Sequence, residues 1–282
     1  MGAVRFAPSP TGYLHKGHAF SALTVFETAR QLGARFVVRI EDIDFTRCRP
    51  PFEAAMFEDL AWLGLEWETP VLRQSAHLAD YLAALETLKE AGLVYRSFAT
   101  RKEIALAMLS APHDAPDGYR GVPPAADEEA ARLAAGEPFA WRLNLAAAQA
   151  AAGPLSFFET GEGPDGVHGA IAVDADPAGD VVLARKDVGV AYHLAVVVDD
   201  ARQRITDVVR GADLFEATHV QRLLQVLLSL PEPRYHHHRL ITGADGRRLA
   251  KRDDAETLRS IRERGVTADA VRAELGFSPH PG

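Results

Sequence analysis

The stretch that decides the reading is Arg5-Phe6-Ala7-Pro8-Ser9-Pro10-Thr11-Gly12-Tyr13-Leu14-His15-Lys16-Gly17-His18. A short apolar segment, Ala3 to Ala7, precedes a turn rich in proline and glycine. After it, Gly17 to Leu32 carries Phe20, Leu23, Val25, Phe26 and Leu32, a workable helical face. Strand, tight turn and helix N-terminus form an arrangement that receives phosphates, because free backbone N–H groups and the helix dipole both favour an anion there. The two imidazoles of His15 and His18 can add donors to phosphate oxygens as charge builds in a transition state.

Working outward, Arg35 to Ile40 reads as a second strand, ending in the acidic group Glu41-Asp42-Ile43-Asp44. Helices are predicted over Pro51 to Leu63, opened by proline at a compatible position, and over Ala76 to Ala91, closed by Gly92. This alternation implies an α/β fold with a parallel sheet, whose ligands lie beyond the carboxyl ends of the strands. Ser9, His15 and Glu41 all fall at such ends. From about 94 to 180 the character changes. Ala111 to Ala126 is rich in Pro, Gly and Asp, Ala125 to Ala152 is alanine-rich with charges at helical spacing, and Gly153 to Gly179 reads as loops and short strands. This block is expected to be an α+β insertion. The α/β pattern is expected to return with Val181 to Arg185 and Arg204 to Arg210, followed by a helix over Leu214 to Leu230 and two short helices between Glu256 and Leu275. The domain expectation is a catalytic domain over 1–232, interrupted at about 94–180, then a loop and helical tail over 233–282. Tyr235-His236-His237-His238 reads as a strand; alternate residues face opposite ways, so three adjacent histidines cannot all meet one metal.

Composition narrows the class. The chain has 282 residues, 47% hydrophobic and 25% charged, as in an ordinary globular protein. No apolar run approaches the roughly 20 residues that cross a membrane, and no signal peptide is visible. With Cys48 the one cysteine, no intrachain disulfide can form, and a cytoplasmic location and a monomer are expected. A net charge of −8 argues against indiscriminate nucleic-acid binding, although local basic groups exist at Arg202/Arg204 and at Arg247, Arg248, Lys251 and Arg252.

The fourteen residues from Arg5 to His18 resemble the HIGH signature of class I aminoacyl-tRNA synthetases, in its glutamyl form. Further segments fit that resemblance in chain order: Arg39 to Arg47, Trp62-Leu63-Gly64-Leu65 with Trp67, Arg73-Gln74-Ser75, Asp187 with Ala191 to Ala195, Val197 to Asp200, Val209 to Leu214, and Arg247 to Arg252 where the KMSKS loop belongs. The resemblance implies a Rossmann-like parallel sheet. It also implies ATP-dependent activation of L-glutamate, with Mg²⁺ on the phosphates. Arg5, Tyr192 and Arg210 are then expected to meet the side-chain carboxylate, since arginine offers paired planar donors. Glu41 is expected to take the ammonium, and Ser9 with the backbone near Ala7 to fix the α-carboxylate or amine. His15, His18 and Lys251 are expected to bind ATP and neutralise its phosphates during catalysis.

Departures from the full-length pattern refine this. The sequence runs only about thirty residues past Lys251, so no anticodon-binding domain is expected. Val196 stands where asparagine is general, and Leu214 where tryptophan is common. These features resemble a shorter branch, the glutamyl-queuosine tRNA(Asp) synthetases, which activate glutamate without tRNA and attach it to the queuosine base of the tRNA(Asp) anticodon loop. Many members bind zinc through cysteines; here Ser97-Phe98-Ala99 and Tyr119 to Pro123 stand at the matching place, with His113 nearby, so no zinc is expected. The lysine loop lacks its serine at Ala250. Two alternatives stay open: a catalytically silent RNA-binding or regulatory paralogue, and glutamylation of a tRNA 3′ end with a partner subunit.

Overall fold

The computed structural model describes residues 1–109, 118–185, 189–241 and 256–279. The strands among them are β1 (Ala3–Phe6), β2 (Arg35–Ile40), β3 (Glu68–Arg73), β4 (Val94–Ser97), β5 (Ala140–Leu143), β6 (Ser156–Glu159), β7 (Gly169–Ala172), β8 (Val182–Arg185), β9 (Gly189–Val190), β10 (Asp207–Gly211) and β11 (Arg234–His238). The helices are α1 (Lys16–Leu32), α2 (Pro50–Trp62), α3 (Leu78–Glu90), α4 (Arg101–Leu109), α5 (Ala126–Ala134), α6 (Leu145–Ala152), α7 (Tyr192–Arg202), α8 (Phe215–Leu227), α9 (Leu258–Glu263) and α10 (Ala268–Glu274).

Seven strands form the main sheet in the order β3-β2-β1-β10-β11-β6-β7, parallel except for the antiparallel edge strand β7. The chain winds outward from β1 through β2 to β3, then in the opposite direction from β10 through β11. The reversal falls between β1 and β10, and the crevice at a reversal is where α/β sheets hold ligands. A second sheet, β4-β5-β8-β9, is antiparallel. The α/β fold with a parallel sheet is therefore as expected, and three details differ. The 94–180 stretch supplies β4 and β5 to the small sheet but β6 and β7 to the main one. Val182–Arg185 does not resume the parallel sheet; it pairs antiparallel with β5. The alanine-rich stretch is split by β5, because Phe139, Trp141 and Leu143 alternate with Ala140 and Arg142 in the two-residue period of a strand.

The same period sorts the main sheet. Val4, Phe6, Phe36, Val38, Ile40 and Val209 face a core shared with α1, α2, α9 and α10. The intervening residues Arg5, Arg39, Arg210 and His237 look the other way, towards α7 and α8, and all four are buried. A buried sheet face carrying three guanidinium groups and an imidazole is unusual, since charges are kept from interiors unless they are met by partners.

Candidate active site

His15 is the N-cap of α1. Its Nδ1 accepts from Gly17 N at 3.1 Å, while its own backbone N–H donates to His18 Nδ1 at 3.2 Å. The two rings lie 3.9 Å apart between centroids. Both imidazoles thus accept at Nδ1, which in the neutral ring puts the proton on Nε2. Gly17 fits for a steric reason: a Cβ there would come within 2.9 Å of His15 Cε1. The tail closes over this corner, with Leu258 N on Leu14 O at 2.8 Å and Lys16 on Glu274 at 2.5 Å. Lys251, Arg247, Arg248 and Asp187 lie outside the described residues.

On the opposite face of β1 and β2 sits a buried ion cluster. Arg5 donates through Nε to Asp200 Oδ1 at 3.0 Å and through Nη2 to Oδ2 at 3.4 Å. Arg39, fully buried, reaches Asp200 at 2.7 Å, Glu41 at 3.2 Å and Asp199 at 3.8 Å. Asp199 also accepts from Tyr81 Oη and Gln74 Nε2, both at 2.9 Å. Burial opposes charge throughout. It raises the Glu41 and Asp199 carboxyls above their ordinary range. At Asp200 the two arginines outweigh burial and hold the carboxyl low. With all five groups ionised, two cations face three carboxylates.

Arg210 is placed differently. Its Nε donates to His237 Nε2 at 3.1 Å, Nη1 to Gln221 Oε1 at 2.8 Å and Tyr192 Oη at 3.3 Å, and Nη2 to Thr218 Oγ1 at 2.6 Å. Only 4% exposed, it meets no carboxylate among the described residues. Around it, Gln221 Nε2 and His193 Nδ1 are buried nitrogens with no hydrogen-bond partner among the described residues. Burial, with help from the Arg210 charge, pushes His193 down to about 4, so it is neutral at pH 7. A buried guanidinium beside two unsatisfied nitrogens is a cradle for an anion.

The structure thus brings Arg5, Glu41, Tyr192, Arg210, His15 and His18 to the sheet's reversal, with Ala7 half-buried and Ser9 exposed in the turn after β1. Glu41 N bonds Pro8 O at 3.1 Å, which joins that turn to the end of β2. Arg5 differs from expectation in being largely engaged by Asp200. Val196 packs in the apolar core with Leu194, Ala195 and Val197. Sequence reading gave no role to Arg39, Asp199, Asp200, Thr218, Gln221, His237 or Glu159. The available signal was a lone charge inside an apolar strand, as in Phe36-Val37-Val38-Arg39-Ile40. Beside Tyr119 to Pro123, Asp180 accepts from Tyr95 Oη at 2.8 Å and Gly121 N at 2.9 Å. Among the described residues, no three His, Cys, Asp or Glu side chains gather as a metal site. No helix among them is long and apolar enough to cross a membrane.

Residues 3–276 match the family model of class I tRNA synthetases (E and Q), catalytic domain. A glutamyl-Q tRNA(Asp) synthetase of Rhodobacter capsulatus is 46% identical, over 97% of this chain and 99% of its own length. A glutamate–tRNA ligase 1 of Ruegeria pomeroyi is 39% identical over 99% of this chain and 61% of its own. A solved glutamate-tRNA synthetase from Elizabethkingia anophelis superposes with a TM-score of 0.73 at 26% identity, covering 89% of this chain and 53% of that one. The chain spans little more than half the length of those two glutamate enzymes, and essentially all of the Rhodobacter relative. The parallel sheet, the capped histidine pair at its reversal and these matches agree: the chain is a ligase belonging to the glutamyl-Q tRNA(Asp) synthetases, within the class I tRNA synthetase catalytic-domain family.

Proposed function

We propose that this site activates L-glutamate with ATP, without tRNA, and transfers it to the queuosine base in the anticodon loop of tRNA(Asp). The observation that carries the amino-acid choice is Arg210, a buried cation met only by neutral acceptors among the described residues. The side-chain carboxylate of glutamate would supply the missing anion, held by Arg210 and Tyr192. Arg5 would add its positive field and the one nitrogen, Nη1, that Asp200 does not engage. Across the crevice, the substrate ammonium beside Glu41 would balance the third carboxylate of the Arg5–Arg39 cluster. Ser9 and the backbone at Ala7 would position the α-carboxylate.

In the reaction, an α-carboxylate oxygen attacks the α-phosphorus of ATP and the bond to the bridging oxygen breaks, releasing pyrophosphate. Such in-line transfer depends on positioning and on neutralising charge. The Nε2 protons of His15 and His18, at the α1 N-terminus, would donate to phosphate oxygens. Lys251 would add a cation; in sequence it lies six residues before Thr257, whose backbone pairs with His15. Mg²⁺ would enter on the nucleotide's own phosphates. In the second step a queuosine hydroxyl attacks the acyl carbon and AMP leaves. A cytoplasmic setting, where ATP and tRNA coexist, fits these substrates.

Pyrophosphate exchange with glutamate and ATP in the absence of tRNA is the first test. Exchange with glutamate and little with glutamine supports the reading; none, or equal exchange with both, overturns it. Glutamate transfer to tRNA(Asp) with and without queuosine tests the acceptor. Equal charging of both would point to the 3′ end instead.

A further inference from the structure

Glu159 and His237 are 78 residues apart in sequence and fully buried side by side, on neighbouring strands β6 and β11. Glu159 Oε2 meets His237 Nδ1 at 2.5 Å, and Oε1 accepts two backbone N–H groups, from Gly161 at 2.7 Å and His237 at 2.9 Å. The other ring nitrogen, His237 Nε2, takes the Nε–H of Arg210 at 3.1 Å. Thr218 Oγ1 lies 3.1 Å from the same Nε2 and within 3.4 Å of Leu214 O.

The donors around His237 fix where its ring proton sits. Arg210 can only donate, so His237 Nε2 must accept. The ring proton then sits on Nδ1 and goes to Glu159, whose carboxylate can only accept. The Thr218 hydroxyl receives Arg210 Nη2 and has two acceptors for its own proton, His237 Nε2 at 3.1 Å and Leu214 O at 3.4 Å, neither of which disturbs the tautomer. A protonated imidazolium would set two donors against each other at Arg210. Burial depresses His237 and favours the neutral ring; burial opposes charge at Glu159 too, but the hydrogen bonds it accepts hold it ionised.

We infer that Glu159 and His237 are positioning residues that set the orientation of the Arg210 guanidinium, and through it the selection of a carboxylate-bearing amino acid. This rests on the proposed role of Arg210 in binding glutamate. The Glu159 carboxylate dictates the imidazole tautomer, and the tautomer dictates which way the arginine fork points. Nη1 and Nη2 are thereby left to face Tyr192, Gln221 and Thr218, at the mouth of the anion cradle.

Glu159→Gln separates this role from simple packing. The amide keeps an oxygen for the two backbone donors but turns its NH₂ towards His237 Nδ1. The ring must then carry its proton on Nε2, pointing at Arg210 Nε–H, the same tautomer inversion that an Asp-to-Asn change forces in a catalytic triad. The KM for glutamate in tRNA-free pyrophosphate exchange should rise about 10- to 100-fold, by analogy with the loss of a carboxylate that orients a metal-ligating histidine, with the KM for ATP within about twofold. Side-chain ¹⁵N NMR should show His237 protonated on Nδ1 in the parent and on Nε2 in the variant. Glu159→Asp, which keeps an acceptor, should retain the parental tautomer and most of the glutamate affinity. An unchanged glutamate KM in Glu159→Gln, or equal losses in the Gln and Asp variants with ATP affinity falling alongside, would overturn the inference. Absence of glutamate-dependent exchange in the parent protein would instead remove the functional reading beneath it.

Discussion

Arg210→Lys isolates the geometry of the anion cradle from its charge. Arginine reaches four side chains at once through three nitrogens: His237, Gln221, Tyr192 and Thr218. Lysine keeps the positive charge but concentrates its donors on one nitrogen, so it cannot hold this frame and also present a planar pair to a carboxylate. If one of two hydrogen bonds to the substrate carboxylate is lost, the cost is about 1.5–3 kcal/mol. At about 1.4 kcal/mol per tenfold, that is roughly a 10- to 150-fold rise in the KM for glutamate. The histidine pair on the other face of the reversal is untouched, so the KM for ATP should stay within about twofold. Stability should fall by only about 1–2 kcal/mol, because the groups left behind are neutral and His237 Nε2 can still accept from Thr218. The assay is pyrophosphate exchange at saturating ATP across a glutamate series, repeated with glutamine, alongside urea denaturation. The preference for glutamate over glutamine should shrink with the KM change. A variant with normal glutamate KM, or one whose ATP and glutamate KM values rise together, would refute this reasoning.

Gly17→Ala should lower the rate of exchange about tenfold or more with little change in melting temperature, because the new Cβ pushes the His15 ring off its N-cap position; a parental rate would mean that the ring gives way without consequence. Arg39→Met should destabilise the protein by about 3–5 kcal/mol in urea denaturation, since it leaves Glu41, Asp199 and Asp200 with one arginine between them; a loss under 1 kcal/mol would show that the cluster readily takes up protons instead. Asp59, fully buried on α2 with an ion-pair contact to Arg262 at 3.6 Å and no hydrogen bond to its carboxyl oxygens among the described residues, is pushed up to about 6 by burial. The folded state therefore holds this proton more tightly than the unfolded chain, and stability declines as pH rises from about 4 through 6. Asp59→Asn should match the parent near pH 4 and exceed it by about 1–3 kcal/mol at pH 7.5; equal melting temperatures at both pH values would contradict that assignment.

The parts of this molecule that were legible in sequence are those whose signals are local. The turn after β1 announces itself through proline and glycine, α1 through its apolar period, and the end of β2 through the acidic run after Ile40. These place Ser9, His15, His18 and Glu41 at strand ends without any tertiary information. The small sheet was misassigned because β8 is a short apolar run, and such a run does not say whether its neighbour is parallel or antiparallel. The partners of the buried charges were hidden for a stronger reason: they are distant in the chain. Arg5 finds Asp200 across 195 residues, and Glu159 finds His237 across 78.

Strands in the middle of a parallel sheet are covered on both faces, so a charge within one must be answered inside the protein. Arg39 and Arg210 give the same sequence signal, a guanidinium in an apolar strand. Their surroundings separate them. Carboxylates of Glu41, Asp199 and Asp200 surround Arg39, which makes it a fixed part of the scaffold and a counterweight for whatever binds beside Glu41. Among the described residues Arg210 has only neutral acceptors close to it, and its link to a carboxylate runs through His237 to Glu159. That link is long enough to leave the guanidinium's outer edge unneutralised and short enough to hold its plane. The proposed glutamate site would need this intermediate state, since a directly paired arginine would have no vacancy and an unbraced one would have no orientation.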